Sequence, residues 1–541
     1  MRHLFLSISL LVFSSIAIAS AFVSPQILWS LILLIPIFAI GVHNMFQKKK
    51  AILRNFPIIG MFRYFFEMIR PEIQQYFVES DTDGTPIPRE IRSVVYQRAK
   101  VQTDTLPFGT QRDTYREGYE WICHSMTPKT VDQNSLRVLV GGPLCVKPYM
   151  SSIFNISAMS YGALSKTAIL SLNGGARLGG FYHNTGEGGI SPYHLENGGD
   201  LVWQIGTGYF GCRTPDGKFS SEAFRKNAIR ENVKMIEIKL SQGAKPSHGG
   251  FLPGAKISPE VAEIRGVQVG KDVQSPPAHS EFSTPIQLLK FVQKLRDLSG
   301  GKPIGFKLCI GQPHEFIAIC KAIIETEILP DFITVDGGEG GTGAAPLEFS
   351  NSVGTPLEEG LTFVHDILTG MDLRKYIRVI AAGKVMTGFN IFSKLALGAD
   401  ICNSARGMML ALGCIQARRC NTNHCPAGVA TTDEKLSYGL VPGDKQRRVW
   451  NYHRNTIHAF SELLGAAGIE YTQQIKRRMV KRRVSSNDVR TFEELFPTVL
   501  PGSFLRSEIP DRYLVEFQMA NPNTFEPNRD IAVRPNNRAA A

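Results

Sequence analysis

Three cysteines, Cys414, Cys420 and Cys425, fall within twelve residues, and Pro426 follows the last of them. Thiolates are soft ligands, and three at this spacing with a proline directly after suit an iron–sulfur cluster. Zinc is the rival reading, with His424 as a fourth ligand, although adjacent His424 and Cys425 rarely point at one metal. Free, buried thiols are the third reading. The other six cysteines (Cys123, Cys145, Cys212, Cys309, Cys320 and Cys402) read as small core residues.

A second chemistry is offered by polar, glycine-rich clusters that recur along the middle of the chain. They are Ser157-Ala158-Met159-Ser160-Tyr161-Gly162, Asn184-Thr185-Gly186-Glu187-Gly188-Gly189, Gly206-Thr207-Gly208, Ser241-Gln242-Gly243-Ala244-Lys245-Pro246, Asp336 to Gly343, and Ala382-Gly383-Lys384. One cluster alone is a tight turn; several in series allow the backbone to approach a flat or phosphorylated ligand and supply free N–H groups for an anion. Gly338, Gly340 and Gly343 match the dinucleotide spacing G-x-G-x-x-G, but Ala345-Pro346 interrupts the helix that should follow. That segment reads as a loop, with no nicotinamide site of its own.

These clusters need strands to hold them. Eight β-rich runs precede glycine or polar clusters: 154–157, 180–183, 201–205, 235–240, 304–309, 332–335, 378–381 and 400–403. Eight strands in β-then-α order over about 250 residues predict a parallel (β/α)₈ TIM barrel, whose strand ends carry the active site. A doubly wound sheet is the alternative, but it usually stops at fewer strands. A phosphate after the seventh and eighth strands would meet Gly383, Lys384, Ser404, Ala405 and Arg406. The stretch from Gln242 to Pro303 reads as an enlarged loop. The expected divisions are a membrane segment over 1–50, a lead segment packing on the barrel over 51–145, the barrel with its cysteine loop over 146–440, and a helical extension (Arg447 to Leu464) with a polar tail through Asn536, Asn537 and Arg538 over 441–541.

The first fifty residues hold two apolar runs, Leu4 to Val23 and Ile27 to Val42, with Pro25 between. The first reaches the roughly 20 residues needed to span a bilayer, and the second, at about 16, is marginal. Lys48, Lys49 and Lys50 follow and predict a cytoplasmic end. An uncleaved two-helix hairpin is the preferred reading; Ala17, Ala19 and Ala21 leave a cleavable signal peptide as the competitor. Further on, Phe62, Tyr64, Phe65 and Phe66 form an aromatic amphipathic stretch suited either to the membrane surface or to the main domain. With 43% hydrophobic residues among 541, disorder and fibrous repeats are excluded. The net charge of +12 is modest for that length. The densest basic run (Lys476, Arg477, Arg478, Lys481, Arg482, Arg483) lacks interleaved aromatics, so it reads as a solvated helix face and no nucleic-acid partner is expected.

Taken together, these residues resemble the FMN-binding domain of glutamate synthases, including stand-alone glutamate synthase-like proteins, over roughly Ser152 to Asp433. The motifs are Ala158 to Gly162, Asn184 to Gly189, Gln242 to Pro246 continuing to Leu252-Pro253-Gly254, Gly340 to Ala344, and Ala411 through Thr431 with the family's cysteine spacing. The resemblance implies that Ser157, Ala158, Met159, Ser160, Thr185, Gln204, Lys239, Lys307, Gly340, Gly341 and Gly383 surround FMN, and that Cys414, Cys420 and Cys425 hold a 3Fe–4S cluster. It implies further that Lys307 stabilises the reduced flavin and that Glu187 and Lys307 bracket the reacting carbon, although Glu187 could also be a mere barrel-mouth ion pair. Ser160, Tyr161, Gly162, Glu187, Arg213 and Gln242 would meet the substrate.

Two departures from the family pattern bear on the substrate. Larger members carry a glutaminase domain and a β-helix domain that this sequence is expected to lack, so ammonia would come from solution or a partner. Tyr209 stands where those members have an arginine for the dicarboxylate, and Arg213 is the expected substitute. The leading expectation is a membrane-anchored oxidoreductase with a cytoplasmic catalytic domain. It would aminate 2-oxoglutarate to glutamate with electrons from an external donor, ferredoxin-like or a reductase subunit. The alternatives are a flavin and iron–sulfur dehydrogenase of another small hydroxy or amino acid, and a non-catalytic membrane scaffold.

Overall fold

Strand Leu201–Ile205 is buried at all five positions, the mark of a parallel strand covered on both faces. It belongs to a closed barrel of eight parallel strands: β1 (Phe154–Ile156), β2 (His183–Asn184), β3 (Leu201–Ile205), β4 (Val233–Lys239), β5 (Ile304–Leu308), β6 (Phe332–Asp336), β7 (Arg378–Ala382) and β8 (Ile401–Ser404). The closed TIM barrel expected from the sequence is present, and the doubly wound sheet is excluded. The computed structural model describes residues 1–528, so the polar tail at Asn536, Asn537 and Arg538 lies outside the described residues.

The N-terminal mouth of the barrel is sealed by a β-hairpin, Arg137–Val140 paired with Tyr149–Ser152. Its Val140 and Tyr149 pack with Tyr182, Val202, Met235, Phe332, Ile380 and Ile401, the inward side chains at the strand starts. Around the barrel, the helix Pro442–Ala466 packs on Lys166–Gly179, and its His453 stacks on Phe181 at 3.9 Å between ring centres. This helix is the expected extension, longer at both ends than Arg447 to Leu464.

Two expectations need correction. The stretch from Gln242 to Pro303 is not one loop: it holds a short strand pair (Phe251–Leu252 with Val273–Gln274) and the helices Pro259–Arg265 and Pro285–Leu298. The basic run is not a solvated helix face either. Its second half is the strand Val480–Arg483, paired with Glu120–Ile122 and Val489–Thr491. Arg477 is buried on Asp366 at 2.8 Å, and Arg482 grips Glu120 and Glu358. Among the six cysteines read as core, Cys212, Cys309, Cys320 and Cys402 are buried, whereas Cys123 and Cys145 are partly exposed.

The described residues fall into two compact units, divided after Arg89. In the first, the helices Arg2–Phe22 and Leu31–Phe46 fold back on each other, with Phe38 against both Phe5 and Phe13. Because Pro25–Ser30 is also helical, the second apolar segment runs over 22 residues and is not short. Both segments are long and apolar enough to cross a membrane.

Candidate active site at the C-terminal mouth of the barrel

Along β4, Glu237 and Lys239 are two residues apart and so point to the same side, into the barrel. Glu237 is 1% exposed and accepts hydrogen bonds from Asn184 Nδ2 (2.8 Å), Gln204 Nε2 (2.7 Å) and Thr334 Oγ1 (2.6 Å). One layer up, Lys239 on β4 is in register with Lys307 on β5, which in turn is in register with Thr334 on β6. Lys307 Nζ lies 3.3 Å from Asp336 Oδ2. Burial alone would depress this ammonium, but Asp336, Glu237 and Glu187 outweigh it and hold Lys307 above its ordinary value.

The next layer is a small cavity of about 20 Å³ lined by Glu187, Thr207, Lys239, Gln242, Lys245 and Gly250, among others. Lys239 Nζ sits 2.9 Å from Glu187 Oε1 and donates to Gln242 Oε1 at 2.7 Å. Burial would raise Glu187, yet Lys239, Lys245 and Arg265 overcome it, so the carboxyl stays ionised below its usual range. Burial pushes Lys245 down to about 8, helped by Lys239 and opposed by Glu187; its Nζ donates to Ala344 O. Three cations thus surround one carboxylate. Thr207 Oγ1 and Arg265 Nε are buried and have no hydrogen-bond partner among the described residues. Such groups call for a polar ligand.

Beside β7 and β8, Lys384 and Arg406 form a second basic pair. Each is lowered chiefly by burial, and Arg406 further lowers Lys384. Lys384 makes no hydrogen bond or ion pair among the described residues, while Arg406 donates to Glu339 O at 2.7 Å. A Cβ at Gly341 would come within 2.9 Å of Arg406 Nε, so any larger residue there would have to push that side chain aside. An exposed lysine beside a half-buried arginine, with an open approach, fits a phosphate. Gly340, Gly341, Gly383, Lys384, Ala405 and Arg406 therefore gather at one side of the mouth. The Ser404 hydroxyl turns to Val385 O, and Ser157 joins Ser404 through its backbone N–H.

The remaining expected residues spread around the rim. Ser160 Oγ accepts from Arg265, which also donates to Tyr161 O; Tyr161 Oη donates to Glu260, and the Gly162 N–H reaches Leu164 O. Met159 is buried next to the half-buried Ala158. Thr185 Oγ1 is used internally, accepting from Gln204 N. Arg213 does not line the cavity; it lies on the Phe210 ring, whose other cationic neighbour is Arg265. Tyr209 is buried, and its Oη accepts from the N–H groups of Ser280 and Glu281 and pairs with His279 Nδ1. Sequence reading missed Glu237, Arg265 and the role of Lys245.

The three cysteines of the loop are free thiols, close enough to act on one another. Burial first, then Cys420 and Cys425, pushes Cys414 up to about 12. Tyr96 Oη donates to the Cys414 carbonyl at 2.7 Å, and Lys256 Nζ, held by Ala163 O and Ala430 O, stands near Cys420 and Cys425. Among the described residues no three His, Cys, Asp or Glu side chains are grouped as one ion's ligands. A polynuclear cluster does not require that grouping, because its thiolates bind different irons.

A closed barrel with buried lysines, an ionised carboxylate and a phosphate-fitting basic pair at its C-terminal mouth has the layout of a cofactor-binding barrel enzyme. Residues 110–470 match the family described as the conserved region in glutamate synthase. The glutamate synthase large subunit-like protein YerD of Bacillus subtilis is 38% identical over 83% of this chain and 93% of its own length. The archaeal glutamate synthase (NADPH) of Methanocaldococcus jannaschii is 35% identical over 59% of this chain and 60% of its own length. Among solved structures, a flavocytochrome b2 double mutant with pyruvate bound aligns over 83% of this chain at 13% identity and a TM-score of 0.41. The chain belongs to the glutamate synthase family and is a glutamate synthase-like oxidoreductase by class.

Proposed function

We propose that the chain is an FMN- and iron–sulfur-dependent oxidoreductase that forms glutamate from 2-oxoglutarate and ammonia, drawing electrons from an external ferredoxin-like or reductase partner. The observation that carries this is the set of three cations that act on Glu187, two of which, Lys239 and Lys245, line the cavity with it, since a dicarboxylate needs cations in excess of carboxylates. Lys384, Arg406 and the loop at Gly340 and Gly341 would hold the phosphate of FMN, and Lys307 with Gln204 and Thr185 would border its ring. Cys414, Cys420 and Cys425 would hold the cluster. FMN, when bound, supplies hydride transfer.

The chain's own groups do the rest. Lys307, kept protonated by Asp336 and its neighbours, presents a fixed positive charge where negative charge develops. Glu187, held ionised through Oε1 by Lys239, leaves Oε2 to bind an ammonium or iminium N–H; its low pKa suits it to orient that nitrogen more than to donate a proton. Lys245, which lines the cavity, would face a substrate carboxylate, and Arg265 adds its charge from behind the lining. The two apolar N-terminal helices and Lys48 to Lys50 support a membrane anchor with the catalytic unit on the cytoplasmic side.

A second reading, oxidation of another small hydroxy or amino acid, is favoured by Tyr209: its hydroxyl is committed to the Ser280 and Glu281 backbone and cannot replace an arginine. The test is an absorption spectrum of the anaerobically purified full chain, with acid-released flavin and iron counted. About one flavin and about three irons per chain are expected; a colourless, iron-free protein overturns the proposal. Glutamate formation from 2-oxoglutarate, ammonia and reduced ferredoxin then separates the two substrate readings.

A further inference from the structure

The helix Gly60–Ile73 is amphipathic, and its apolar side is uncovered. Met61, Phe62, Phe65, Phe66 and Ile73 lie on one side by helical spacing, and Phe62 and Phe66 are 57% and 56% exposed. Arg63, Glu67 and Arg70 occupy the opposite side, where Arg63 and Glu67 pair at 3.0 Å. The wider turn that follows, Gln74–Val78, continues the exposure, with Phe77 85% exposed. A water-facing helix does not normally carry such a stripe.

The neighbouring chain shows what could cover it. The second apolar helix ends at Phe46 and leads into Lys48, Lys49 and Lys50. The corner after it is tied down: Gln47 Nε2 donates to Lys50 O, the Lys50 N–H returns to Gln47 Oε1, and Asn44 Nδ2 donates to Pro57 O. Lys50 Nζ then sits 4.2 Å over the ring of Tyr64. The start of the amphipathic helix is therefore fixed beside the lysines that follow the second apolar helix. From residue 48 to 73 the chain has six cationic residues against two glutamates.

We propose that Gly60–Ile73 lies in the headgroup region of an anionic lipid bilayer, with its phenylalanines toward the acyl chains. The inference rests on the membrane-anchor reading given above. An interfacial helix needs a large apolar face, a charged opposite face and cationic residues for anionic lipid, and all three are present. The anchor would then comprise two spanning segments and one helix lying flat.

The test uses the full chain in vesicles of phosphatidylglycerol and phosphatidylcholine whose acyl chains are brominated near the glycerol end. Phe65→Trp places a reporter on the apolar face and Arg63→Trp one on the polar face, each read as a difference from the parent, whose own tryptophans include Trp29. Added emission in Phe65→Trp should be quenched at least twofold more than in Arg63→Trp. Equal quenching of the two in a chain that floats with the vesicles overturns this inference alone. A parent chain that does not float overturns the anchor reading and this inference with it.

Discussion

The two ends of the barrel cap the same eight strands with opposite materials. At the N-terminal end Val140, Tyr149, Met235, Phe332 and Ile380 close the mouth with apolar and aromatic packing. At the C-terminal end Lys239, Lys245, Arg265 and Lys307 crowd around Glu187 and Asp336, several of them against the cost of burial. The difference teaches that stability and chemistry are separated along the strand axis, with Glu237 as the layer between.

Mutations can break or sharpen that contrast. Phe332→Ala, at the sealed end, is expected to cost about 3–5 kcal/mol in urea unfolding while flavin per folded molecule is unchanged; loss of flavin from the folded fraction would show the ends to be coupled. Glu237→Gln, in the middle layer, replaces an acceptor by an amide that cannot accept all three bonds. It should cost about 1–3 kcal/mol and also lower the Lys307 pKa, read by NMR titration.

Acidification acts on the outer packing. Burial lowers His194, His365 and His453 to about 3, from an unfolded value of 6.5. Below pH 6.5 the unfolded chain takes up protons that the folded one refuses, so stability falls as pH falls toward 3, by about 1.4 kcal/mol per unit for each group. Urea midpoints at pH 7 and 5.5 check this, and an unchanged midpoint would refute it. Lys245→Met is the gentlest change. It should raise KM for an anionic substrate roughly tenfold, or about 1.4 kcal/mol, without loss of stability, because a buried cation is removed. In the parent, KM should climb as pH rises through about 8 and Lys245 loses its proton; the variant should lack that climb.

The strands were legible because buried parallel strands are apolar runs bounded by glycine and polar clusters. The run 180–183 is displaced by about two residues: Gly180 is the left-handed cap of the helix before β2, and Tyr182 belongs to the sealed end. The basic run reads as a solvated face because the partners of Arg477 and Arg482 lie 111 and 362 residues away, beyond any local pattern. Glu237 lies inside its strand and not at the end that a polar cluster marks, although its two-residue spacing from Lys239 is a usable signal. Arg265 sits in the stretch read as one loop, where only tertiary contact with Ser160 and Tyr161 reveals it.

The hydroxyl of Tyr96 holds the carbonyl of Cys414 across 318 residues of sequence, and Arg98 and Ala99 in the same helix receive Asn455 and Asn451 through their carbonyls. The segment that secures the cysteine loop therefore precedes the family-matched region, which begins at residue 110. A fragment cut at that boundary for expression or transplantation would keep every cysteine and lose the clasp on the first, so a minimal working piece has to start before residue 90.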